Sequence, residues 1–167
     1  EEGAAAVVGV ASTVNGEYPD EAKEALKRVI GMSKNQHLCK RAQQVIDYID
    51  RFSDYVTTWQ VSGPYRKKGV GGDKLLGVPF APEEEDGDAK WRLWTGSGDR
   101  PWYVDFQAIE GVKGDQRAAY LKAQIMVPEA IEARLEVGSD DQVKIWLNGE
   151  VVHDNPAMRG YKDGEDK

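Results

Sequence analysis

The spacing of apolar residues changes near residue 55, and this change constrains the fold more than any other feature of the sequence. Before that point apolar side chains recur every three or four residues, which is the period of an amphipathic helix. After it they alternate in short runs separated by glycine, proline and aspartate, which is typical of strands and turns. The sequence therefore predicts an α+β chain, with a helical segment at 1–54 and a β-rich segment at 55–167.

Two amphipathic helices are predicted in the first segment. Pro19 marks the start of one helix, and Asn35 can cap the next. The expected apolar stripes are Ala22, Ala25, Leu26, Val29 and Ile30 in the first helix, and Leu38, Ala42, Val45, Ile46 and Ile49 in the second. The apolar run from Ala4 to Ala11 would end a preceding helix. Because such a pair cannot cover both stripes alone, we expect it to pack on neighbours, and it resembles a HEAT-type helical repeat.

Short strands with turn signals between them are predicted in the second segment. They span Val56–Val61, Leu75–Phe80, Trp91–Trp94, Tyr103–Phe106, Ala119–Val127, Ile131–Val137 and Val143–Leu147. Aliphatic residues share one face of the fifth and of the sixth strand, which is typical of half-buried antiparallel strands. Many short strands of this kind predict an antiparallel β-sandwich.

The strongest local signal is the hairpin sequence GSDDQVKIWLNGEVV at residues 138–152. Its first strand carries aliphatic side chains on one face and Lys144 and Trp146 on the other. Asn148 and Gly149 supply the two positive-φ positions of a tight type I′ turn. Trp146 should therefore be either exposed or packed under the helical segment.

Charge and composition narrow the range of partners. The net charge of −7 argues against nucleic acid and against anionic membrane surfaces, since both favour a clustered basic face. No apolar run approaches the roughly 20 residues that a membrane-spanning helix needs, so membrane insertion is not expected. The single cysteine, Cys39, cannot form an internal disulfide or a cysteine-based metal cluster. We expect it to be a buried, unreactive thiol.

The sequence contains no catalytic signature. It has no H-E-x-x-H, G-x-S-x-G, Walker A or dinucleotide-binding pattern, and only two histidines, His37 and His153. We therefore do not expect the chain alone to be an enzyme.

Several stretches together resemble a known family. They are WQVSGPY from Trp59 to Tyr65, the strand from Trp91 to Trp94, ARLEVGSDDQVKIWLNGEVV, and the following HDNPAMRGYKDGED. These resemble the galactose-binding-like jelly rolls of multidomain bacterial sugar-processing proteins, including those found beside 3-keto-disaccharide hydrolase-type domains. The hairpin is also similar to the sugar-binding jelly roll of family 2 glycoside hydrolases.

The resemblance implies a jelly-roll sandwich over residues 55–167, in a larger extracellular or periplasmic protein. Its implied partner is a glycan or a neighbouring catalytic domain of the same protein. The chain departs from the family because two further strands, the first with a Gly-Trp-Asn turn, usually follow this hairpin. We therefore expect the sandwich to be incomplete at its C-terminus and the chain to be a fragment.

Candidate ligand-binding residues fall in two places. Trp94 and Trp102 flank a loop with Arg100, where aromatic rings can stack on sugar faces. The alternative is that these tryptophans fill the core. The polar loop after the hairpin, HDNPAMRGYKDGED, contains His153, Asn155 and Arg159, which can contact hydroxyl groups. The alternative there is a solvated loop in which Arg159 pairs with a carboxylate.

A structural Ca²⁺ is the one metal that the resemblance implies. Asp140 and Asp141 would bind it, together with Asp154, Asp163 or Asp166. The alternative is that Asp140 and Asp141 form an Asx-type turn into the strand.

Three functions remain open from the sequence. The preferred hypothesis is a non-catalytic, carbohydrate-associated module that holds a glycan or packs on a catalytic neighbour. The second is a structural or assembly domain without a ligand of its own. The third is a fragment of a glycan-processing enzyme that uses carboxylates between Glu83 and Asp105.

Overall fold

A computed structural model describes residues 1–127 and 129–166. Contacts between residues divide the chain into two compact units, each built from separate segments. Unit 1 comprises Glu1–Val61, Arg92–Val104 and Leu121–Ile125, and unit 2 comprises Ser62–Trp91, Asp105–Tyr120 and Met126–Lys167. The predicted domain boundary after residue 54 stays a prediction.

Three α-helices form the first part of unit 1: α1 (Glu2–Val14), α2 (Pro19–Met32) and α3 (Gln36–Arg51). The predicted start of α2 at Pro19 is confirmed. The Asn35 side chain accepts a hydrogen bond from the Leu38 backbone N–H at 3.1 Å, so the predicted cap of α3 is confirmed. The α1 helix is longer than the predicted run from Ala4 to Ala11, because it already begins at Glu2.

The core of unit 1 lies between these three helices. Its buried members are Val8, Ala11, Ala22, Leu26, Val29, Leu38, Ala42, Ile46 and Ile49. The predicted stripes of α2 and α3 therefore face inward, with Ile30 and Val45 packed at the margin. Val8 and Ala11 extend the core onto α1, which supplies a neighbour that the helical pair was expected to need. In the described part of the chain, no helix has the length and apolar character to cross a membrane.

Two small sheets follow, so the α+β prediction is confirmed at this level. The strands are β1 (Thr58–Tyr65), β2 (Arg92–Thr95), β3 (Ala118–Lys122), β4 (Val143–Leu147) and β5 (Glu150–Asn155). One sheet has the strand order β2-β1-β3, and the other pairs β4 with β5. In the antiparallel β1–β2 pair, Trp59 lies opposite Trp94.

Several predicted strands are wrong. The first half of the Leu75–Phe80 prediction falls in a 3₁₀-helix at Gly72–Gly77, and a second short 3₁₀-helix follows at Ala81–Glu83. Pro79 and Pro82 lack backbone N–H groups, which disfavours a paired strand here. Tyr103–Phe106 contains no strand, and Ala119–Val127 is paired only as far as Lys122. Ile131–Val137 pairs only at Val137, which bridges to Asp166.

The β4–β5 hairpin forms as the sequence predicts. Asn148 and Gly149 both have positive φ, at 51° and 87°, as a type I′ turn requires. The face that carries Lys144 and Trp146 packs within unit 2, because the Trp146 ring lies 6.2 Å from the Tyr120 ring. A register shift between Ile145 and Trp146 marks a bulge in the ladder.

Aliphatic side chains predicted to lie in a sandwich core are instead exposed. Ile125, Ile131, Leu135 and Leu147 are each more than half exposed. Their alternation in the sequence is that of a half-buried strand, but no second layer covers these four side chains in the described part of the chain.

We predict that Leu26→Ala destabilises unit 1 strongly. Leu26 is fully buried between the helices, so its truncation leaves a cavity and should lower the free energy of unfolding by about 2–5 kcal/mol. Met32→Ala is the control, because Met32 is 85% exposed and its truncation should cost no more than about 0.5 kcal/mol. Urea denaturation followed by circular dichroism measures both. Equal losses in the two variants would contradict this packing.

We predict that Asn35→Ala lowers the free energy of unfolding by about 1 kcal/mol, because it removes the acceptor for the Leu38 N–H. Asn35→Asp keeps a side-chain oxygen at the same position and should lose much less. The same denaturation measurement compares them. An Asp variant as unstable as the Ala variant would show that the cap is not the cause.

Candidate functional site

The first candidate site is an aromatic ledge in unit 1, formed by Tyr55 and Trp102. Tyr55 follows the end of α3, and its backbone N–H donates to the Phe52 carbonyl at 3.0 Å. The Tyr55 and Trp102 rings stack with centroids 4.2 Å apart and an interplanar angle of 23°. The Phe52 ring packs against the Trp102 ring, with centroids 5.8 Å apart. Tyr55 remains 48% exposed, so much of its surface faces solvent.

Charged groups contact other aromatic rings of unit 1. The Arg51 guanidinium lies 5.0 Å from the Phe52 ring centroid and 3.6 Å from Asp99 Oδ1. The Arg100 guanidinium lies 5.0 Å from the centroid of the Tyr103 ring. The Asp99 side chain is 91% exposed, so its ion pair with Arg51 is screened and worth little energetically. These polar groups can therefore exchange partners with a ligand at low cost.

The predicted residues Trp94, Arg100 and Trp102 thus all belong to unit 1. Trp102 takes part in the ledge, whereas Trp94 lies half-buried on β2, opposite Trp59. The sequence reasoning missed Tyr55, which supplies the more exposed ring. The sequence offered one signal for Tyr55. It is an aromatic residue three positions after Phe52, where the helical spacing of apolar residues ends.

The second candidate site is a polar cluster in unit 2, centred on the Asp166 carboxylate. Arg159 donates to both carboxylate oxygens, with Nη1 2.9 Å from Oδ1 and a second bond from Nη2 to Oδ2. Asn155 Nδ2 donates to Oδ1 at 3.0 Å. His153 Nε2 lies 3.2 Å from Oδ2, a distance at which a protonated imidazole attracts the carboxylate. Arg159 also donates to Ser139 Oγ at 2.7 Å.

This geometry determines the charge state of the Arg159–Asp166 pair. Both partners are largely withdrawn from solvent, with side chains 14% exposed for Arg159 and 11% for Asp166. The hydrogen bonds from Arg159 hold the pKa of the Asp166 carboxyl well below its usual range, and the hydrogen bond from Asn155 and the nearby His153 imidazole act in the same direction. The pKa of Arg159 is raised, chiefly by the same hydrogen bond. The pair is therefore fully ionised at neutral pH.

The structure brings His153, Asn155 and Arg159 together, although the sequence placed them only in one loop. Their common partner is the Asp166 carboxylate, so the arrangement matches the alternative in which Arg159 pairs with a carboxylate. The cluster joins β5 to the residues that follow it, because Asn155 donates to Asp166. Asp166 also exchanges two backbone hydrogen bonds with Val137, which precedes β4. Ligand binding by these residues stays a prediction.

The described residues do not bring together a group of side chains that could bind the predicted calcium ion. Asp141 Oδ1 accepts a hydrogen bond from the Arg159 backbone N–H at 3.2 Å, and Ser139 Oγ donates to the Asp141 carbonyl at 2.7 Å. Asp140 is exposed. Across residues 1–127 and 129–166, no three His, Cys, Asp or Glu side chains are grouped as a metal site requires.

A group of aromatic rings in unit 2 was also missed. Tyr65 contacts Phe80 at 5.3 Å and Tyr120 at 5.5 Å, and Tyr120 contacts Trp146 at 6.2 Å. The Tyr120 hydroxyl donates a hydrogen bond to Glu83. Burial, followed by this contact, raises the pKa of Tyr120 above its usual range. These rings pack against one another, so they serve unit 2 as an apolar centre.

No protein-family model, curated protein or solved structure matches this chain.

We predict that Asp166→Asn removes a contribution to stability that depends on pH. The pKa of Asp166 lies below its ordinary value of 3.8, so the ion pair stabilises the fold above that pH and is lost as the pH falls through the lower folded value. The Tm difference between the wild-type chain and the variant should therefore be large near about pH 7, smaller near about pH 3, and should approach zero only below the folded pKa. Thermal unfolding by circular dichroism measures it.

Asp86→Asn is the matched control, because Asp86 lies in an exposed acidic loop. Its Tm should differ little from the wild-type value at either pH. A Tm difference for Asp166→Asn that does not change with pH would contradict the proposed role of the ionised carboxylate.

Proposed function

We propose that this chain is a non-catalytic, carbohydrate-associated module that holds a neutral glycan on the aromatic ledge of Tyr55 and Trp102. The observation that carries the proposal is the stacked ring pair with a half-exposed outer ring. A sugar presents an apolar C–H face to such a ring, and burial of that face against the ring is favourable.

Rigidity of the ledge supports this function. Trp102 follows the fully buried Pro101, and its ring is held between Tyr55 and Phe52. Tyr55 also contacts Phe52 edge-on at 6.3 Å. Because the rings are held before binding, little side-chain entropy is lost when a sugar stacks on them.

Polar groups beside the ledge supply hydrogen bonds. Arg51 can donate to sugar hydroxyls and Asp99 can accept from them, since their mutual ion pair is long and exposed. Arg51 and Asp99 carry opposite charges, which favours a neutral polyhydroxylated ligand over an ion.

A jelly-roll sandwich of the galactose-binding-like kind remains our proposal for the β-rich segment. The hairpin at β4 and β5 and the exposed aliphatic rows at Ile125, Ile131 and Leu135 support it, because these rows have the alternation of strands that face a second layer. An extracellular or periplasmic location accompanies this proposal, as does a neighbouring catalytic domain that the glycan would reach.

The test is isothermal titration of the full chain with a β-1,4-linked galactotetraose, and with cellotetraose as a second probe. We expect saturable binding of at least one of them, weakened by about tenfold or more in Tyr55→Ala, because one stacking face is lost. Trp102→Phe keeps an aromatic support and should weaken binding less.

Tyr18→Ala is the matched control, since Tyr18 is exposed to a similar extent in the same unit. It should bind as the wild-type chain does. Equal affinity of the Tyr55→Ala and wild-type chains, with both folded by circular dichroism, would overturn the ledge as the site. Release of shorter sugars during the titration would overturn the non-catalytic assignment.

A further inference from the structure

The outer edge of β5 is unpaired in the described structure. The β4–β5 sheet has two strands, so one side of β5 faces no further strand of the described residues. Val151 and Val152 on this strand are each 54% exposed. An exposed edge presents backbone N–H and C=O groups that can pair with another extended segment.

One feature that can block such pairing is present, because the register skips Val152 and leaves a bulge on β5, but other protective features are sparse on this strand. The sequence of β5, EVVHDN, contains no proline and no lysine, which are the residues that most often protect an edge. Its charged residues, Glu150 and Asp154, are both acidic. Asp154 forms a salt bridge with Lys144, whose Nζ lies 3.3 Å from Oδ2, on the face that packs within unit 2.

Charge is distributed unevenly between the units. Unit 2 has 19 acidic and 12 basic side chains, whereas unit 1 has ten of each, so unit 2 accounts for the whole net charge of −7. A second copy of this chain would bring the same excess of negative charge to the edge and would be repelled. A basic segment would be attracted.

We propose that the β5 edge binds an extended segment of another protein in which aliphatic and basic residues alternate. The register places Val151 beside Trp146 on one face and Glu150 beside Leu147 on the other. An added strand would thus set an aliphatic side chain next to Val151 and a basic one next to Glu150. This inference is independent of glycan binding, because the ledge lies in unit 1 and the edge in unit 2.

The experiment uses the full ¹⁵N-labelled chain and three capped peptides of equal length. The probe alternates lysine and valine, the charge control alternates glutamate and valine, and the pairing control is the lysine peptide with proline at its centre. Proline removes a backbone donor and breaks the strand, while charge and apolar content change little. Affinity and hydrogen exchange of the amides of residues 150–155 are measured by NMR.

We expect the lysine peptide to bind and to slow exchange of some of these amides by about tenfold or more, with the other two peptides binding at least about tenfold more weakly. Glu150→Lys should reverse the preference in favour of the glutamate peptide, and Glu129→Lys, the same change at an exposed residue of unit 2 outside β5, should not. Circular dichroism checks that both variants fold.

Three results would overturn the proposal. Equal binding of the lysine and proline peptides would show attraction without strand pairing. No binding of the lysine peptide at millimolar concentration would show that the edge is closed. Concentration-dependent dimerisation with protection of residues 150–155 in the absence of peptide would show that a second copy occupies the edge.

Discussion

The Asp166 carboxylate is the acceptor on which the hairpin end of unit 2 depends. It receives hydrogen bonds from Arg159 and Asn155, and its backbone pairs with Val137. One residue therefore connects β5, the loop after it and the segment before β4. A paired, mostly buried carboxylate of this kind is strongly destabilising to break, because the partner cation would be left without compensation. The cluster therefore stabilises the hairpin end of unit 2.

Burial of apolar surface differs between the two units, and this difference underlies both proposals. Unit 1 encloses an aliphatic core between three helices and also carries the stacked rings of Tyr55 and Trp102. Unit 2 centres on aromatic rings and leaves aliphatic side chains such as Val151 and Leu135 exposed. A rigid ledge suits binding of a small ligand, whereas an exposed strand edge suits binding of another chain.

Local signals in the sequence predicted local structure well. The Pro19 start, the Asn35 cap and the Asn148-Gly149 turn each depend on one or two residues, so neighbouring sequence is sufficient to specify them. Strand predictions failed where pairing depends on distant segments, as for Ile131–Val137, whose alternation cannot show whether a partner strand exists. Likewise the loop sequence indicated that His153, Asn155 and Arg159 are polar neighbours, but their shared acceptor, Asp166, follows only from the fold.

The claim that the ledge binds a glycan is tested most directly by saturation-transfer difference NMR on the full chain with the galactotetraose. Irradiation of the protein should transfer saturation mainly to protons on one face of a sugar ring, and Tyr55→Ala should abolish that transfer. Absence of transfer at millimolar sugar, or transfer that persists unchanged in the Tyr55→Ala chain, would contradict the account.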